Sequence, residues 1–150
     1  MTEYFISYFG FGGLFLISFL AATIIPMGSE AAVIIMVLAG YNPGLVLVVA
    51  STGNSLGALL NYFMGKWGSD FLFSRFFKTD ADVLAKAEKT YGKWGSPALF
   101  FAWLPVIGDP LTVIAGALKV NIYVFLFWVV LGKSLRYFFV IKAAGMIPVP

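Results

Sequence analysis

The chain has 150 residues, 61% of them hydrophobic and 11% charged, with a formal net charge of +3. A soluble domain carries about 25% charged and about 45–50% apolar residues; at this length roughly 30% of the unfolded chain's surface stays exposed, so no water-soluble fold could hide the surplus. With neither cysteine nor histidine, disulfides, thiolate metal sites, cysteine nucleophiles and histidine acid–base chemistry are excluded together.

Residues 4–29 carry no charge, and neither do residues 31–65. The start, Thr2-Glu3, lacks the basic n-region of a signal peptide, so the first apolar run is expected to stay in the protein. A crossing helix needs about 20 apolar residues. The second run is too long for one straight helix, and Tyr41-Asn42-Pro43-Gly44 breaks it. Glu30 stands alone between the two runs. A polar island follows, bracketed by a duplicated pentapeptide, Gly65-Lys66-Trp67-Gly68-Ser69 and Gly92-Lys93-Trp94-Gly95-Ser96. Trp and Lys belong at the membrane–water interface, so both copies mark one face of the bilayer. Lys66, Arg75, Lys78, Lys86, Lys89 and Lys93 are six of the ten basic residues. Their excess puts loop 68–95 in the cytoplasm. Within it, residues 79–91 read as a short amphipathic helix with Thr79 and Asp82 as a capping box, either a solvated connector or a docking element.

The second half repeats the first. A shift of 79 residues superimposes Pro26 on Pro105, Glu30 on Asp109, Asn42 on Asn121, Gly53 on Gly132, and Ser55-Leu56 on Ser134-Leu135. Each half reads as an apolar arm, Pro-x-x-x-acid, a second apolar arm, a break, and a long helix containing Gly-x-Ser-Leu. The arms around each acid are too short to cross about 30 Å of hydrocarbon as helices. Pro26, and Pro105, Gly108 and Pro110, break the helix beside the acids, which favours hairpins that enter and leave on one side. Long helices over about 44–66 and 122–142 follow. If each hairpin returns to its own side, one crossing separates the halves and the repeats are inverted. The expected fold is an all-α integral membrane protein in one membrane domain: repeat 1 over about 14–67, the linker over about 68–95, and repeat 2 over about 96–145.

Glu30 and Asp109 are the first candidates for function. Each either caps a helix break or serves as a proton or ion site, and intramembrane carboxylates are costly enough that function is the default reading. Lys133 and Arg136 sit one turn apart on the last helix. They either snorkel to an interface or balance the carboxylates in a neutral quartet, far cheaper than isolated charges, or cradle an anionic headgroup. Asn54 and Asn61 share a face of the first long helix, and Asn54 is the repeat counterpart of Lys133. Gly53, Gly57 and Gly132 are helix-packing positions. No phosphate loop, metal cluster or hydrolase triad is present, so an enzyme is not expected, and neither is a cofactor or a metal.

Pro26-Met-Gly-Ser-Glu30, Gly53-Asn-Ser-Leu-Gly57, Trp103-Leu-Pro105-Val-Ile-Gly-Asp109, Ala115-Gly116 and Gly132-Lys-Ser-Leu-Arg136-Tyr137 together resemble the DedA superfamily of VTT-type membrane proteins, more narrowly its short YqaA-type branch. The similarity runs over residues 15–142. It implies a multi-pass protein of the bacterial inner membrane with two opposed re-entrant hairpins. It also implies a transporter or flippase that moves an anionic lipid or lipid phosphate between leaflets with proton coupling. Partners would be membrane lipids and protons, with a homodimer allowed and nucleic acid not expected. The alternative is a non-transporting scaffold or assembly factor whose buried charges form a static network. The superfamily's hairpin acid corresponds to Glu30. Its two hairpin arginines do not carry over, because Ala102 and Gly108 occupy their positions and Asp109 stands beside the second.

Overall fold

The computed structural model describes residues 2–23, 28–68, 89–104 and 107–148, with side chains from residue 10 onward. Pro26, Pro105 and most of the linker helix expected over 79–91 lie outside the described residues. All regular elements among the described residues are helical: α1 (Thr2–Thr23), α2 (Ser29–Leu38), α3 (Pro43–Trp67), a 3-10 helix (Ser96–Trp103), α4 (Gly108–Ala117) and α5 (Ile122–Ala144). The end of the linker, residues 89–94, is also helical. α1 is kinked at Gly10 (φ 47°, ψ −131°). Only α3 and α5 are long and apolar enough, among the described residues, to cross a bilayer.

Local chemistry sets these boundaries. Asn42 and Asn121 accept from the first backbone N–H groups of α3 and α5, as N-caps do, and Pro43 occupies the first helical position, where its missing N–H is no loss. α2 and α4 each end in a Schellman turn. Tyr41 N–H donates to Met36 O and Gly40 N–H to Val37 O; Val120 N–H donates to Ala115 O and Lys119 N–H to Gly116 O. The two sets of bonds stand at the same 79-residue spacing that aligns the sequence motifs. The left-handed residue of the first turn is Gly40 (φ 86°), whereas the second uses Lys119 (φ 53°). A side chain with a Cβ is disfavoured in that region by about 1–2 kcal/mol. Lys119→Gly is therefore expected to raise stability by about 1 kcal/mol, read as an upward shift of the unfolding midpoint in detergent.

Two apolar cores hold the elements together. One gathers Ala58 and Tyr62 of α3, Leu99 and Ala102 of the 3-10 helix, Ala115 of α4, and Phe125 and Val129 of α5. The other gathers Leu14, Val33, Met36, Val46, Ala50 and Tyr137. Met36, Val46, Ala50 and Tyr137 of the second core are the shifted counterparts of Ala115, Phe125, Val129 and Ala58 in the first. Each long helix thus also contributes to the core of the opposite half, α3 through Ala58 and Tyr62 and α5 through Tyr137. Glycines allow the close crossings. A Cβ on Gly53 would lie 2.6 Å from the Phe15 carbonyl oxygen and one on Gly57 2.5 Å from that of Phe19, so α1 lies directly on α3. The outer faces are apolar: Leu45, Val48, Leu56 and Leu60 on α3 and Phe127, Leu131, Leu135 and Phe139 on α5 are exposed. In the second set they recur every four residues, one helical stripe suited to hydrocarbon.

Candidate functional site

The two carboxylates occupy equivalent places. Glu30 lies in the first turn of α2 and Asp109 in the first turn of α4, where the unpaired N–H groups and the helix dipole favour a negative charge. Gly108 and Pro110 belong to the same first turn of α4. Both helices aim these ends at the middle of α5, which contributes the two cations.

Lys133 Nζ lies 3.7 Å from Asp109 Oδ1 and donates to Asn54 Oδ1. It is 2% exposed, so it does not snorkel; its charge is held inside the protein. Arg136 pairs with Glu30 through Nη2, and its Nη1 donates to the Trp103 carbonyl at 3.0 Å, one of the free carbonyls at the end of the 3-10 helix. Two carboxylates and two cations therefore meet as a neutral quartet, each acid paired with one base. Asn54 joins it across α3 and α5, its amide also donating to Ser18 O at 2.9 Å.

Two polar residues that sequence reasoning did not single out complete the cluster. Tyr137 Oη donates to Ser29 Oγ at 2.9 Å, and Ser29 Oγ lies 3.4 Å from Glu30 Oε2. Both residues are buried. The available signal was adjacency, because Ser29 precedes Glu30 and Tyr137 follows Arg136 in the chain. Asn61, by contrast, is not brought to the cluster. It sits two turns beyond Asn54 and donates to Ala22 O at 2.8 Å, tying α3 to α1.

Ser29, Asn54, Asp109, Lys133 and Arg136 enclose a small cavity of about 10 Å³, walled on the apolar side by Ala21, Ala102 and Leu104. That is room for about one water. Ala102 and Gly108, where the superfamily pattern has arginines, touch each other here: a Cβ on Gly108 would overlap the Ala102 carbonyl. Arg136 reaches the same hairpin from α5 through the Trp103 carbonyl.

The VTT domain matches residues 25–144 of the chain. Inner membrane protein YqaA of Escherichia coli (strain K12) is 38% identical over 125 residues, covering 83% of each chain, and its namesake in Shigella flexneri matches equally. A protein of Haemophilus influenzae is 32% identical over 132 residues, covering 83% of this chain and 80% of its own. No solved structure matches the chain significantly.

Proposed function

The chain belongs to the VTT-domain (DedA) family and is a protein of the bacterial inner membrane, and on that premise we propose that it moves an anionic lipid or lipid phosphate between leaflets, coupled to protons at Glu30 and Asp109. The observation that carries this reading is the neutral quartet at the meeting point of α2, α4 and α5. Protonating the two acids removes the partners of Lys133 and Arg136 without moving either cation. A phosphate can then take the carboxylates' place, since a guanidinium offers paired donors and an ammonium a point charge. The cavity holds about one water, so a headgroup enters only when α2 or α4 withdraws from α5.

The same reading sets the topology. Two hairpins that each return to their own side leave α3 as the crossing between them, so the repeats are inverted and their acids meet near the bilayer centre. Gly65 packs on the backbone of Val113 and Ala117, and Gly116 on that of Tyr62 and Lys66, which brings Lys66 and Lys119 to one end of the protein. With the basic linker, that end is assigned to the cytoplasm.

A second reading has one specific observation in its favour. The quartet is paired and its cavity has room for only about one water, as in a static network that stabilises a membrane scaffold. Proteoliposomes with an imposed pH gradient and a headgroup-labelled anionic phospholipid separate the two. The transport reading expects gradient-dependent translocation that falls to the protein-free rate in Glu30→Gln, with gel filtration showing the variant folded. A folded Glu30→Gln variant that translocates like the parent rules out the carboxylate mechanism. A parent that moves no lipid supports the scaffold.

A further inference from the structure

On the side of α3 and α5 away from the hairpins, the two long helices leave a groove of about 370 Å³ between them. That is within the roughly 300–1,000 Å³ range of ligand sites. Its walls are apolar, with Leu47 and Val48 of α3 facing Leu126 and Val130 of α5. Hydroxyls line it as well: Ser51, Thr52, Ser55 and Ser134. The Thr52 hydroxyl is satisfied by its own helix, donating to Val48 O at 2.7 Å. Ser51 and Ser55 are not satisfied in this way. They are 7% and 6% exposed, and neither Oγ, itself closed off behind the groove wall, has a hydrogen-bond partner. A serine in an apolar helix ordinarily bonds back to a carbonyl one turn earlier, and a buried hydroxyl without a partner is unfavourable. Two such groups in one groove indicate an acceptor that the protein itself does not supply.

The groove adjoins the charge cluster. Ser55 follows Asn54, Ser134 follows Lys133, and the Asn54–Lys133 hydrogen bond spans the seam between α3 and α5. All of these residues lie near the middle of the two long helices. The groove faces the hydrocarbon, where the molecules at hand are lipids.

We infer that the α3–α5 groove is a lateral lipid site: one acyl chain lies along Leu47 and Leu126, and the Ser51 and Ser55 hydroxyls, enclosed in this structure, turn into the groove to donate to headgroup phosphate oxygens as the headgroup passes the Asn54–Lys133 seam. The inference rests on the lipid-transport reading for its purpose, but the site can be tested for occupancy alone. The full chain is reconstituted in phosphatidylcholine vesicles containing diazirine-bearing phosphatidic acid, or diacylglycerol with the same diazirine chain. After illumination the labelled peptides are mapped. Phosphatidic acid is expected to label α3 and α5 around residues 47–56 and 126–134, and diacylglycerol several-fold less. Ser51→Ala and Ser55→Ala should each lower phosphatidic acid labelling by about fivefold, the worth of one hydrogen bond of about 1 kcal/mol. Ser55→Leu, which fills the groove, should abolish it. Equal labelling by the two lipids, or labelling unchanged in the serine variants, overturns the site even if translocation persists. A Val48→Cys variant that cross-links quantitatively to a second copy, with no label in the groove, also overturns it. Labelling that behaves as expected in a protein that translocates nothing keeps the site and refutes the transport reading instead.

Discussion

Asp109→Asn is expected to destabilise the protein by about 3–5 kcal/mol, because it strands the Lys133 charge at a site that is 2% exposed. Asn54 still accepts from Nζ, but a neutral amide does not replace a carboxylate against a buried ammonium. Removing both members should undo most of the loss. Asp109→Asn combined with Lys133→Met leaves no unpaired charge, and methionine fills the lysine's stem volume. The double variant is expected to recover to within about 1 kcal/mol of the parent, since replacing a buried pair by apolar or neutral groups is often close to neutral. The loss of the bond to Asn54 sets the residual. Denaturant unfolding in detergent, run as a double-mutant cycle, measures the coupling directly. The Glu30–Arg136 pair is more open, at 26% and 17% exposure. Its cycle should give a smaller coupling, and a larger one would place the buried centre of the quartet on the wrong pair. The Asp109/Lys133 double variant also addresses function. It is stable but lacks one proton site and one cation, so the transport reading expects no lipid movement from it. A static scaffold expects its cellular role to survive.

Much of this arrangement is legible in the sequence, and the physical reasons are particular. The 79-residue correspondence follows Pro, Asn, Gly and acidic positions, and these are the residues that fix turns and caps. It therefore identifies Asn42 and Asn121 as equivalent points, and both are N-caps of the long helices. The long helices expected over about 44–66 and 122–142 extend over Pro43–Trp67 and Ile122–Ala144. The arms before the acids are less alike than the motifs suggest. One is the α-helix ending at Thr23 and the other a 3-10 helix over Ser96–Trp103; hydrophobicity alone does not separate these two states. At the site, helical spacing places Lys133 and Arg136 on one face but is silent on which acid each meets. That depends on how α2 and α4 cross α5, and crossing angles depend on packing rather than on pattern. Asn61 shows the same limit. It shares a face with Asn54, yet two turns along the helix, about 10 Å, carry it to the Ala22 carbonyl and away from the charges. Ser29 and Tyr137 are visible only as neighbours of charged residues, because a serine and a tyrosine in apolar segments have many bland explanations.

The α3–α4 crossing is the contact most sensitive to a single methyl group. Gly65 and Gly116 each face the backbone of the opposite helix. A Cβ on Gly65 would overlap the Val113 carbonyl and lie 3.0 Å from Ala117 N, and one on Gly116 would overlap the Tyr62 carbonyl and lie 3.0 Å from Lys66 N. The obstacles are backbone atoms, which have no rotamer to change, so the helices themselves must separate. Gly65→Ala and Gly116→Ala are each expected to cost about 3 kcal/mol, at the upper end of overpacking. The double variant should cost little more than the worse single one, since one separation relieves both overlaps; this is the non-additivity expected of residues in contact. Gly12→Ala is the control. It is exposed on α1 with nothing within 4 Å of the added methyl, and an alanine in a helix should gain about 0.5–1 kcal/mol over glycine. Unfolding midpoints for the four variants test the ordering, and fully additive losses at 65 and 116 would refute the shared crossing. The crossing also reaches the site. α4 carries Asp109 in its first turn and Gly116 near its end, so lifting α4 from α3 swings the carboxylate away from Lys133. Gly116→Ala should thus impair translocation under conditions where the protein remains folded, although residue 116 touches none of the four charges.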